Sequence, residues 1–222
     1  MRQFLIIIFC LIGLLCSAQN VVAGFLPDFT LSYKASEQYK IVHKLESRFP
    51  SYNDTSEDIN VQFERLDMQN FIERKIGLFS KLSLGYQYRI KDSAADEHRF
   101  IQQFSWTDNL TAFRIGHRLR SDQTYSRARK PEIRFRYRSG FQFPLQGQQL
   151  DAGEYYLSIS DELVWSYRSP NADLENRVLA KLGLYINDKN KIEWGLEWRL
   201  EELFLEKVNH QLWVGLSWYK AL

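Results

Sequence analysis

The chain has 222 residues, and its 29 Lys and Arg nearly balance its 27 Asp and Glu, for a formal charge of +2. That balance predicts no nucleic-acid partner. The two cysteines, Cys10 and Cys16, sit near the amino end, which excludes disulfide staples, thiol catalysis and cysteine-ligated metal from the rest of the chain. Arg2 followed by the apolar run Phe4 to Leu15 and the small residues Ser17 and Ala18 reads as a signal peptide over 1–18, cleaved before Gln19. The run is shorter than the roughly 20 apolar residues a membrane-spanning helix needs. Leu14 and Leu15 ahead of Cys16 argue against a lipoprotein. No linker, low-complexity block or repeat divides 19–222, so it is expected to form one domain.

Within that domain the dominant period is two, which places successive side chains on opposite faces of a β-strand. Strands are predicted over 27–35, 38–49, 60–75, 81–91, 97–107, 110–121, 131–143, 153–167, 175–186, 191–202 and 208–219. The clearest is the tenth. Ile192, Trp194, Leu196, Trp198 and Leu200 share one face, and Glu193, Gly195, Glu197, Arg199 and Glu201 share the other. Leu82, Leu84, Tyr86, Tyr88 and Ile90 form a similar apolar stripe, and so do Ile133, Phe135 and Tyr137. The stretch 60–75 loses its parity near Leu66 and is expected to be a strand carrying a bulge. Short connections fall near 35–37, 76–80, 107–109 and 187–190, and longer ones near 50–58, 121–130 and 168–174.

An export signal, alternating strands of about ten residues and a charged second face predict an all-β fold: an antiparallel up-and-down transmembrane β-barrel of the outer membrane. Cost decides which face is inside. An Arg facing lipid at mid-depth costs about 2–4 kcal/mol, so turning Arg134, Arg136 and Arg138 outward would consume much of a domain stability of about 5–15 kcal/mol. The charged face therefore points inward, where Gly85, Gly116, Gly140, Gly183, Gly195 and Gly215 relieve crowding. The count of eleven candidates conflicts with the even number expected of bacterial barrels. Twelve strands are expected, with one hidden in 19–26, and ten is the alternative.

One order of residues resembles a known family. Glu97, Arg99, Gln102 and Gln103 are followed by Arg114, Arg118 and Arg120, then by Arg127, Arg129 and Arg134, by Glu162, and by Asn176-Arg177. This resembles an uncharacterised "domain of unknown function" family of Gram-negative outer-membrane β-barrel proteins. His117 stands where that pattern has an acid. The resemblance implies a barrel and supplies no activity.

The chemistry expected of the interior lies in a charge cluster: Glu97, Arg99, Arg114, Arg118, Arg120, Arg134, Arg136, Arg138, Glu162, Arg177, Glu193 and Glu197. The leading functional reading is a narrow passive pore for small, anionic solutes. The alternative is a closed structural barrel packed with Arg–Glu pairs, because a small barrel has little free interior. An enzyme acting on lipid or peptide ranks third. No Ser-His-acid set is brought together by the strand pattern, so no enzyme, catalytic residue, metal or cofactor is expected. Trp106, Trp165, Trp194, Trp198 and Trp218 suit interfacial girdles, and Trp213 and Tyr185 fall on inward stripes, where sugar-stacking by either is the functional reading. The expected partners are outer-membrane lipid, the outer-membrane assembly machinery and a small anionic solute.

Overall fold

Residues 20–54, 59–111, 113–205 and 208–222 are described by a computed structural model. The signal peptide expected over 1–18, with Cys10 and Cys16, lies outside the described residues. The alternating stretches become eleven strands: Asn20–Lys34 (β1), Tyr39–Asn53 (β2), Arg65–Lys75 (β3), Ser80–Lys91 (β4), Glu97–Asn109 (β5), Arg114–Ser126 (β6), Glu132–Pro144 (β7), Glu154–Arg168 (β8), Asn171–Asn187 (β9), Asn190–Glu201 (β10) and Asn209–Ala221 (β11). Each pairs antiparallel with the next in sequence, and β1 closes on β11.

The expectation of twelve strands, or ten, is corrected to eleven. The segment 19–26 holds no separate strand, because from Asn20 it is the first half of a single long β1. An odd number of alternating strands makes the first and last run the same way. The seam is therefore parallel, from Asn20 beside Asn209 to Ser32 beside Ala221, and the barrel is mixed rather than purely antiparallel. The bulge expected in 60–75 is also absent. β3 starts only at Arg65 and pairs without interruption on both sides. Register shifts occur instead at Ala23/Gly24 and at Asn190/Lys191.

The turns after β1, β3, β5, β7 and β9 gather at one rim, together with the end of β11. We call this the turn rim. The connections after β2, β4, β6, β8 and β10 form the loop rim, together with Asn20. Two expected connections differ. β8 and β9 are joined by residues 169–170 alone, since the strands pair down to Arg168 and Asn171. The turn rim also carries one longer excursion, 145–153, between β7 and β8.

The two faces of the wall differ as the alternation dictates. Leu45, Ile72, Leu84, Phe100, Leu119, Phe135, Leu163, Leu182, Leu196 and Val214 lie exposed on the outer surface, one on each strand from β2 to β11. The inner face is polar. Asp67, Gln87, Arg89, Glu97, Arg99, Asp122, Glu162 and Arg199 are buried. Three large inner rings are accommodated by a shared device, a glycine as direct cross-strand partner: Phe71 opposite Gly85, Tyr156 opposite Gly183, and Trp213 opposite Gly24 across the seam. A Cβ on these glycines would lie 2.4 Å from the Phe71 ring, 2.2 Å from the Tyr156 ring and 2.7 Å from the Trp213 ring.

This device predicts a coupled effect. Gly85→Val should destabilise the fold by about 1–3 kcal/mol, the usual cost of overpacking. Phe71→Ala added to it should recover a large part of that loss, because the ring is what the new side chain strikes. Unfolding midpoints of the four proteins in the double-mutant cycle check this. Additive losses would show that the pair does not act through contact.

Candidate functional site: the charged lumen

Inner side chains stack in order from the loop rim to the turn rim, and their charges meet across neighbouring strands. On β3 and β4, Arg89 clamps Asp67 with two bonds, Nε to Oδ1 at 2.6 Å and Nη2 to Oδ2 at 2.7 Å. Such forked pairs are stronger and more directional than single contacts. Glu97 of β5 accepts from Arg89 at 3.3 Å and also holds Lys91. On β6 and β7, the fully buried Asp122 lies between two arginines, with Arg120 Nε 2.6 Å from Oδ1 and Arg136 Nε 2.8 Å from Oδ2. Glu132 is shared by Arg134 and, at 3.0 Å, by Arg168. Arg118 reaches past β7 to Glu162 on β8, 2.9 Å away.

The opposite wall is built in the same way. Arg177 holds Glu175 and lies 4.0 Å from Glu162. Glu197 accepts from Arg199. Glu193 is a hub near the turn rim. Lys181 lies 3.0 Å and Lys191 3.4 Å from its carboxylate, and the hydroxyls of Tyr156 and Tyr219 donate to it. Lys44 bridges Glu46 at 2.7 Å and Asp28 at 3.8 Å.

The twelve residues picked out by sequence all lie on inner stripes, in three situations. Glu97, Arg118, Arg120, Arg134, Arg136, Glu162, Arg177, Glu193 and Glu197 are in ion pairs. Arg138 donates to Ser160 Oγ at 3.2 Å, and Arg114 sits exposed at the turn rim, bonded to Asn109. Among the described residues Arg99 bonds only neutral partners, Thr124 and Gln87. Sequence reading missed Asp67, Asp122 and Glu132, which carry much of the compensation. Asp122 was readable, because Arg118, Arg120, Asp122 and Thr124 keep one parity, and β6 extends to Ser126 where a loop was expected. Asp67 was hidden by the apparent loss of parity at Leu66. Trp213 does not present a free face to a sugar. It is 1% exposed, covered by the Arg48 guanidinium 4.5 Å from its ring centre.

Charge is unevenly spread. The inner stripes of β5, β6 and β7 carry Arg99, Arg114, Arg118, Arg120, Arg134, Arg136 and Arg138 against Glu97, Asp122 and Glu132. Side chains do not fill the interior. A cavity of about 1070 Å³ runs inward from the loop rim, and a second of about 360 Å³ lies at the turn rim. Arg118, Arg138, Leu179, Lys181 and Tyr219 line both and form the wall between them. Among the described residues, no group of three or more His, Cys, Asp or Glu is placed to hold a metal ion.

Residues 23–205 match the family described as "Protein of unknown function (DUF2490)". No curated protein and no solved structure matches the chain.

The lumen network makes a directional prediction. Asp67 is 2% exposed and Arg89 7%, so Arg89→Met leaves a buried carboxylate with only the looser contact to Arg65 at 3.8 Å among the described residues and should cost about 3–5 kcal/mol. Converting both, as Arg89→Met with Asp67→Leu, should restore most of it, because no orphan charge remains. Denaturant titration of both variants checks the order. Equal losses in the two would contradict it.

Proposed function

The chain belongs to the DUF2490 family of proteins of unknown function, and we propose that it is an outer-membrane β-barrel acting as a narrow passive pore for small solutes, with a bias toward anions. The observation that carries this reading is a closed wall with an apolar outside and a charged cavity of about 1070 Å³ inside. In hydrocarbon every backbone polar group must find its partner within the protein, and a closed ring of strands satisfies that demand. Five alternate outward positions, such as Ile192 to Leu200, span about 27 Å along a strand. Tilted by about 40°, they give a height of about 21 Å, close to the apolar band of such barrels.

Two stacked groups of outer aromatics lie at different heights. Trp106, His117 and Tyr137 stack toward the turn rim, and Phe135, Trp165 and Tyr167 toward the loop rim. Rings at two levels suit the two interfaces of a bilayer. Four of the five connections at the turn rim are short, which suits the periplasmic side. The anion bias follows from the arginine excess on β5, β6 and β7, since a wall of one sign raises the local concentration of the opposite ion.

A second reading is a closed structural barrel. Its support is the wall shared by the two cavities, where Arg118, Arg138 and Lys181 are tied to Glu162, Ser160 and Glu193. Planar-bilayer recordings separate the two. The pore reading expects small single-channel events with anion preference, and Arg138→Glu should lower that preference, since Arg138 lies in the dividing wall without a carboxylate partner. Silence from protein that is demonstrably folded would overturn the pore and leave the closed barrel.

A further inference from the structure

Arg99 stands apart from the other inner arginines. It is 3% exposed, yet among the described residues its side-chain bonds go to neutral groups and no carboxylate lies at salt-bridge distance. Its Nε donates to Thr124 Oγ1 at 2.9 Å and its Nη1 reaches Gln87 Oε1 at 3.5 Å. Its Nη2 is buried with no acceptor at all. A guanidinium held this way keeps part of its hydrogen-bonding capacity unanswered and has no directly paired counter-charge among the described residues, a state that proteins seldom leave unfilled.

Asp122 attracts Arg99 through space, but less strongly than the neighbouring cations repel it. The cations that press most strongly on Arg99 are Arg134, Arg89 and Arg136. Their carboxylates are already shared: Asp67 and Glu97 with Arg89, Asp122 between Arg120 and Arg136, and Glu132 between Arg134 and Arg168. Arg89, Arg99, Arg134 and Arg136 all line the larger cavity, and Gln87 lines it beside them. Arg99 thus lines open volume amid excess positive charge, with its unpaired Nη2 just behind the cavity surface, where a side-chain shift would bring it to an entering anion.

We infer that Arg99 anchors an oxyanion site in the lumen, which takes a phosphate- or carboxylate-type anion small enough to enter from the loop rim. Guanidinium groups match the paired oxygens of such anions in a planar fork, which chloride cannot offer. Arg134 and Arg136 close the site from β7. The inference rests on the lumen being water-filled, as in the pore reading, but not on conduction past Arg138.

The test uses the full folded protein in detergent, titrated with inorganic phosphate or with acetate against chloride at constant ionic strength. At least one oxyanion should raise the unfolding temperature saturably, and calorimetry should find a single site. Arg99→Met should weaken that binding about tenfold or more, as expected for loss of a charge-assisted fork. Its stability in chloride should not fall, because no carboxylate loses a partner. Arg134→Gln leaves Glu132 with Arg168, so it should fold, and it should bind several-fold more weakly. Stabilisation by neither oxyanion beyond that of chloride overturns the site, and so does unchanged affinity in Arg99→Met or, where that variant fails to fold, in Arg134→Gln. Because no bilayer is crossed, oxyanion binding with silent recordings would sink the pore and keep the site. Conducting protein without binding would do the reverse.

Discussion

Guanidinium groups buried against a strand wall lose much of their hydration, so most of them need a carboxylate delivered by the fold. That demand organises the interior. Asp67 meets Arg89 only because β3 and β4 pair with those two residues in register. Asp122 holds Arg120 and Arg136 because β6 and β7 place them as near neighbours. A slip of one residue in either pairing would turn one strand's charges outward and leave the other's alone. The ion pairs and the backbone ladder therefore enforce one register together. The glycine–aromatic pairs add a steric check at β3–β4, β8–β9 and the seam, since each ring fits only opposite its own glycine.

The parallel seam follows from arithmetic and is held by local chemistry. Strands that alternate direction and number eleven must meet head-with-head. Phe29 and Trp218 pack at 5.0 Å between ring centres on the outside of the seam. On the inside, Ser217 donates to Asp28 and also accepts from Lys181. Trp213 fills the space over Gly24 and is capped by Arg48. The seam thus has an apolar outer side and a hydrogen-bonded inner side, like the antiparallel pairs around it.

Alternation made most of this legible. β10 could be read directly, because every second residue from Ile192 to Leu200 is apolar and the residues between are charged or glycine. The inner placement of the arginines followed from the same parity and a cost estimate. What sequence could not show was pairing. Nothing local says that Arg118 passes over β7 to find Glu162, or that among the described residues Arg99 bonds Thr124 and Gln87 rather than an acid, because partners lie on strands far apart in the chain. Ends were also misjudged. Asp122 looked like loop because polar residues follow it, while the ladder continues to Ser126. The strand count failed for a different reason. Eleven candidates were visible, and a general rule about even numbers outweighed them, although nothing in hydrogen-bond geometry forbids a parallel closure.

That closure also fixes where the chain enters and leaves. In barrels with an even count, the first residue and the last emerge together. Here Asn20 opens β1 at the loop rim, and β11 finishes at Ala221 beside the short turns. Under the proposed outer-membrane reading, a tag joined ahead of Asn20 and another joined behind Leu222 would sit in different compartments of the envelope, so that two antibodies applied to intact cells would read out the protein's polarity in one experiment.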